Sequence, residues 1–451
     1  MWIIRALAGP AADGQAAVPT GRFVAIVVVV LIAVGSTALI LRERGRANPF
    51  APPGREPAAN DPVARTEPVP EPTPEPLADP VAEPGAQPEA GRPTAAPRLA
   101  VDYGTSNTVA LMRRDDDRIR PLLFDASPLL PSAVHDVGGQ ILTGRDAVNA
   151  ARLDPGRHEP NPKRRLNENS ILLGDREHDL ADLVAATLRR VADEVRHAFG
   201  VEPGPGTALT HPAAWGAIRR SILTDAAARA GLTDPVLVPE PVAAATYYAT
   251  VLGQTLPHGH SLVVYDLGAG TFDTSVVRRD GDGLDVLAAD GLDDLGGLDF
   301  DALVVDLVGA QVRARTGEAD ERWQHLLRPR DAAERRLARL LWDDARAAKE
   351  ALSRLPMTAV SLPGLGVETH VTREQFEAAA RPLVDRTVRA TAAVLRAAAV
   401  PPDRVAGLFL VGGATRMPLA ATMLFQQLRI RPTVLEQPEI VVAEGALHHI
   451  P

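Results

Sequence analysis

The sequence has no cysteine in 451 residues, which excludes a disulfide-stapled secreted module and any thiolate metal centre. Lysine is nearly missing too. Of 48 basic residues only Lys163 and Lys349 are lysine, and the other 46 are arginine. Acidic residues number 57 against those 48, a net charge of -9, so no nucleic-acid partner is expected. None of the 11 histidines has zinc-ligand spacing; His258-Gly259-His260 reads as a Pro/Gly loop and His448-His449 as a chain end. Asp280-Gly281-Asp282-Gly283 opens like a calcium loop, but Leu284 breaks the ligand pattern and leaves a hairpin turn.

What is present divides near residue 97. After a short N-terminal tail (1–22), Phe23 to Leu41 runs without a charge, and a helix of that length spans about 28 Å, close to a bilayer's hydrocarbon core. It reads as one transmembrane helix. Charged residues from Arg42 to Arg46 follow instead of a small-residue cleavage site, as expected of an uncleaved anchor. Arg42, Arg44 and Arg46 outweigh Arg5 and Arg22 by a thin margin, which favours a cytoplasmic C-terminal side without by itself setting the orientation. Residues 42–97 carry runs such as PVPEPTPEP and little to bury. They read as a disordered, proline-rich linker.

From Arg98 onward short apolar runs alternate with amphipathic stretches, for example LVVYD at 262–266 against the helical period of 179–200. That alternation argues an α/β fold.

Two segments repeat one design: LAVDYGTSNTVALM (99–112) and LVVYDLGAGTFDTSVV (262–277). In each, an apolar strand ends in Asp, then x-Gly, then a small-residue turn with Thr, then a second strand. Glycine and small side chains let backbone N–H groups reach anionic oxygens, threonine adds a hydroxyl, and an Asp at the strand end can hold a divalent cation through its water shell. The matched pair implies a duplicated lobe with a loop from each copy facing a cleft. A third turn, LFLVGGATRMP (408–418), fits a wall where a planar base approaches the backbone.

These residues, with Pro239-Glu240-Pro241 and the Val-Ala-Ala-Ala run after it, Pro162-Lys163-Arg164-Arg165-Leu166 and Gly296-Gly297-Leu298-Asp299-Phe300-Asp301, resemble the nucleotide-binding domain of the seventy-kilodalton heat-shock (DnaK-type) chaperones. The resemblance runs in family order over residues 98–450. It implies a two-lobed actin-like ATPase fold built on duplicated ribonuclease-H-like cores, with lobe I at about 98–260 and 410–451 and lobe II at about 261–409. It implies ATP or ADP with Mg²⁺ as ligands. By resemblance, Asp102 and Asp266 hold the water shell of Mg²⁺, and Gly104, Thr105, Ser106, Gly268, Ala269, Gly270 and Thr271 clasp the phosphates. Lys163, Glu240 and Thr271 place the attacking water, while Lys349, Ser353, Gly412, Gly413, Arg416 and Glu439 line the adenosine pocket. The two lysines thus fall on the family's two functional lysines, in a chain that spells positive charge elsewhere as arginine.

Three positions depart from the family pattern. Ala269 stands at a usual glycine, Ala414 at a usual Ser or Gln, and Arg346 at a usual Glu that meets the ribose. The resemblance ends where the family's ATPase domain closes, so no peptide-binding domain is expected. The function expected is a membrane-anchored protein that binds Mg-ATP and hydrolyses it slowly as a conformational switch read by a protein partner. The alternative is a non-hydrolysing nucleotide-dependent scaffold at the membrane. A small-molecule kinase on the same fold is disfavoured, because no sugar-binding pattern stands out.

Overall fold

The computed structural model describes residues 97–450, apart from residues 115, 282, 317–320 and 363–366. The N-terminal tail, the expected transmembrane helix at 23–41 and all but the last residue of the proline-rich linker lie outside the described residues. Among the described residues no helix is long and apolar enough to cross a membrane.

Two sheets carry the architecture. The first contains β1 (Arg98–Tyr103), β2 (Asn107–Arg113), β3 (Ile119–Pro121), β4 (Ala208–His211) and β5 (Val236–Pro239), in the order β3-β2-β1-β4-β5, with a two-residue strand at Leu130–Pro131 also on β2. The second contains β6 (Ser261–Leu267), β7 (Phe272–Asp280), β8 (Gly283–Leu292), β9 (Val405–Val411) and β10 (Pro432–Thr433), in the order β8-β7-β6-β9-β10. In both, the first three strands form an antiparallel meander and the last two add in parallel. The expected duplication is therefore a duplication of topology, and the mixed α/β content fits the expected ATPase fold.

Strand periodicity explains the layering. In β1, Leu99, Val101 and Tyr103 enter the first lobe's own core while Ala100 faces the opposite side. In β6, Val263, Tyr265 and Leu267 enter the second lobe's core while Leu262 and Val264 face away from it. Successive side chains point to opposite faces. Asp102 shares the face of Ala100, and Asp266 that of Leu262 and Val264. A one-residue slip of either strand would drive its aspartate into an apolar core, so the hydrophobic pattern that sets register also aims the carboxylates at the space between lobes.

The outer faces are covered by helices whose ends are coded locally. In the first lobe, α1 (Leu180–Phe199) starts on the Asp179 carboxylate, which accepts from the N–H of Ala181 and Asp182, and it ends on left-handed Gly200. α2 (Ala217–Arg229) packs on α1. Between the two sheets lie α3 (Glu240–Thr250) and α8 (Val441–His449), apolar nearly all round as burial on every side requires. A β-carbon on Gly445 would sit 1.9 Å from the Ala243 carbonyl oxygen, so only glycine permits this helix contact.

The second lobe adds α4 (Gly297–Thr316), α5 (Ala332–Leu352), α6 (Arg373–Ala397) and α7 (Pro418–Leu428). In α5 the residues Ala338, Leu341, Ala345, Ala348 and Leu352 form the buried stripe. Arg346, Lys349 and Ser353, also spaced by three and four, line the cleft along one flank of it. α6 opens with a capping box between Thr372 and Gln375.

The lobe boundary differs from the expected position near 410. β9 and β10 hydrogen-bond into the second sheet, and Leu419, Ala420, Met423 and Leu424 of α7 pack in that lobe's core. Only after residue 440 does the chain return, when α8 packs on β1 and β2 and Arg113 donates to the Leu447 carbonyl at 2.7 Å. A strand-to-helix turn read from sequence does not reveal which sheet accepts the strand.

Candidate functional site

A cleft of about 710 Å³ opens between the two sheets, within the range of small-molecule and cofactor sites. Its floor is the ends of β1 and β6. The turn 104–106 follows β1 and the turn 268–271 follows β6, and they meet: a β-carbon on Gly270 would lie 2.6 Å from Thr105 Cγ2. Gly412, after β9, has φ +83° and packs so closely that a β-carbon would lie 2.4 Å from Asp266 Oδ1. Both glycines mark close approach to residues that carry charge or hydroxyl groups.

At this end of the cleft Lys163 Nζ lies 3.1 Å from Glu240 Oε1, both side chains about nine-tenths buried. Lys163 arrives on a single 3₁₀ turn, Pro162–Arg165, and also sits 5.3 Å from the Trp215 ring centre. Glu240 is the first residue of α3. Thr210 of β4 donates to Asp102 at 2.7 Å, and Thr271 donates to Asp273 at 3.2 Å. Asp273 faces Asp266 across the β6–β7 pair.

Four carboxylates therefore share one ammonium. Burial pushes Asp266 well above the usual carboxylate range, and Glu240, Asp273 and Asp102 push it further against the pull of Lys163. Burial raises Glu240 to about 7 despite Lys163, and Asp273 to about 6. Burial works against the Lys163 charge, but Glu240, Asp102 and Asp273 outweigh it and raise its pKa. The carboxylates are short of positive charge, which is the condition a divalent cation relieves. Among the described residues no three acidic or imidazole groups converge as direct metal ligands.

The far end of the cleft is built from α5, the turn after β9 and the segment before α8. Lys349 pairs with Asp301 at 2.8 Å and donates to the Gly297 carbonyl at 3.0 Å. Arg416 donates to Glu439 at 3.0 Å and to the Glu436 carbonyl at 2.7 Å. Arg346 lies 3.3 Å from Glu350 within α5. Ser353, Gly412, Gly413 and Ala414 complete this wall.

Every site residue named from sequence lines this one cleft except Gly270, which is occupied by the contact with Thr105. Ala269 has no left-handed φ, so its methyl group is accommodated without backbone strain. Asp273 and Asp301 stand inside the motifs that carry the resemblance but have no role assigned there, and Thr210 stands outside them. Asp273 had a signal, since it stands at the mirror position of Asp266 in the hairpin; Thr210 and Asp301 meet their partners only through tertiary packing. Asp293 and Asp294, which in sequence resemble a solvated turn, are exposed but paired, with Arg219 of the first lobe and Arg386 of the second.

Two sheets of matched topology with mirrored acidic turns at one cleft fit an actin-like ATPase fold. A family model for Hsp70 protein matches residues 170–448. The chaperone protein HscA of Yersinia enterocolitica is 33% identical over 381 residues, 78% of this chain and 58% of that protein. A chaperone protein HscA homolog of Aeromonas hydrophila is 31% identical over 369 residues, covering 77% and 56%. The chaperone protein DnaK of Thermotoga neapolitana is 30% identical over 355 residues, covering 77% and 58%. The chain belongs to the Hsp70 family and carries its ATP-binding domain. It spans a little over half the length of these relatives. Asp102 and Lys163 precede the span matched by the family model, and the structure brings them to the same end of the cleft as Glu240 and Asp266.

Proposed function

We propose that this chain binds Mg-ATP in the cleft and hydrolyses it slowly, the lobes closing as a switch that a protein partner reads. The observation that carries the reading is the buried Lys163–Glu240 pair beside Asp102, Asp266 and Thr271. Phosphoryl transfer to water depends chiefly on positioning and charge neutralisation, and these residues supply both. Glu240 Oε1 is held by Lys163, and its Oε2 takes no hydrogen bond from the described residues, which leaves it to orient a water and accept its proton. The Lys163 ammonium presents a point charge that a planar guanidinium could not. Mg²⁺, when bound, neutralises charge on the phosphate oxygens. The N–H groups of the turns 104–106 and 268–271 provide further donors, and the Gly412–Gly413 turn, Arg416 and Ser353 provide a wall for the nucleoside.

We also propose a single-pass membrane anchor at 23–41 with the ATP-binding domain in the cytoplasm. Its support is the uncharged run and the arginine asymmetry around it, together with the location of ATP.

The test of binding is an ATP titration of the full chain with and without Mg²⁺, beside Asp266→Asn. The expected result is binding that strengthens with Mg²⁺ and loses that dependence in the variant. Binding indifferent to both would remove Asp266 from the cation site. Extraction of the full chain from membranes by detergent but not by alkaline carbonate tests the anchor.

A further inference from the structure

Behind Lys163, on the side away from the nucleoside wall, a second pocket of about 70 Å³ adjoins the cleft and shares Thr105, Lys163, Thr271 and Asp273 with it. One water needs roughly 10–15 Å³ of such space, so the pocket has room for an ion of several heavy atoms. Two further cations line it, Arg164 and Arg219, against a single further carboxylate, Asp293. The exposed Arg164 makes no ion pair or hydrogen bond within bonding distance among the described residues, but its charge acts on the neighbouring Asp294, whose carboxyl the hydrogen bond from Arg386 holds below its ordinary value with help from Arg164. Its stem lies against Gly270, where a β-carbon would be 3.1 Å from Arg164 Cδ. Arg219 is engaged but divided: Nε donates to Asn167 at 3.0 Å, and a terminal nitrogen donates to Asp293 at 3.1 Å.

The Arg219–Asp293 pair crosses between lobes. Arg219 belongs to α2 of the first lobe, and Asp293 follows β8 of the second. It closes the pocket's outer side, whereas Thr105, Thr271 and Lys163 form its boundary with the cleft. Two guanidiniums around a small polar pocket are the donor set that suits a tetrahedral oxyanion. The γ-phosphate would be released on this side, because the other end of the cleft remains filled by ADP.

We propose that this pocket is a transit site for inorganic phosphate, bound by Arg164 and Arg219 after hydrolysis, and that Asp293 competes with the anion for Arg219 and so gates its escape. The inference rests on hydrolysis as proposed above, but the site itself can be tested without turnover.

The experiment is titration of inorganic phosphate into the full chain with Mg-ADP bound, followed by calorimetry and by the fluorescence of Trp215, which lines the pocket. Arg219→Ala should weaken phosphate binding about tenfold, the loss of one charge-assisted hydrogen bond. Asp293→Asn should strengthen it, because the guanidinium loses its competitor. Both substitutions break the same bridge between lobes, so a purely structural bridge predicts that they shift phosphate affinity in the same direction. Opposite shifts support the transit site. Shifts of the same sign, or none in either variant, would overturn it. Arg164→Ala should weaken binding without disturbing the bridge, and unchanged affinity there would remove Arg164 from the site. These outcomes remain readable in a chain that hydrolyses nothing.

Discussion

Lys163 and Glu240, 77 residues apart in sequence, meet at 3.1 Å where both are nearly sealed from water. A buried ion pair adds little net stability, but removing one partner leaves an uncompensated charge. Lys163 also faces Asp102 and Asp273. Lys163→Met should therefore lower the unfolding free energy by about 3–5 kcal/mol. Glu240→Gln should cost less, because it relieves repulsion among the remaining carboxylates. Urea denaturation of both variants checks the order, and a larger loss in Glu240→Gln would contradict the charge balance described.

The contact between the two phosphate-side turns predicts a compensating pair of substitutions. Gly270→Ala places a methyl group against Thr105 Cγ2 and should push the turns apart, weakening ATP binding by about tenfold for a shift costing roughly 1–3 kcal/mol. Adding Thr105→Ala removes that methyl and should restore part of the loss. Binding isotherms for the single and double variants decide it.

Gly445 makes a similar claim about the helices between the sheets. Gly445→Ala should destabilise the fold by about 1–3 kcal/mol, the range for overpacking, because the added carbon meets the Ala243 carbonyl. A thermal melt indistinguishable from the parent would contradict the close approach.

Acid stability should depend on His158. Burial, with Arg339 and His135 nearby, lowers its pKa from 6.5 to about 3. Its two ring nitrogens are buried with no side-chain partner among the described residues. Between those values the unfolded chain takes up a proton that the folded chain refuses, so this group's effect on stability is absent above about pH 6.5 and grows unfavourable as pH falls. At pH 5 the penalty is about 2 kcal/mol, 1.5 units at roughly 1.4 kcal/mol each. His158→Phe should flatten this part of the stability profile. An unchanged slope would assign the acid sensitivity elsewhere.

Much of this site is legible from sequence because strand and turn chemistry is local. Asp102 and Asp266 stand at the ends of apolar runs, and the glycines that follow announce close backbone approach. Lys163 and Lys349 stand out because arginine is used everywhere else. Lys349 nevertheless shows the limit, since its partner Asp301 comes from α4 and is found only once α4 and α5 are packed. The same holds for Arg219 and Asp293, which belong to different lobes, and for β9, whose sheet is chosen by pairing with β6.

The most direct test of the account is single-turnover hydrolysis of Mg-ATP by the full chain, beside Lys163→Ala. The prediction is slow hydrolysis in the parent, and ATP binding retained with hydrolysis lost in the variant. Binding without hydrolysis in either form would contradict the catalytic role of Lys163 and favour a nucleotide-dependent scaffold. No binding in the parent would contradict the site itself.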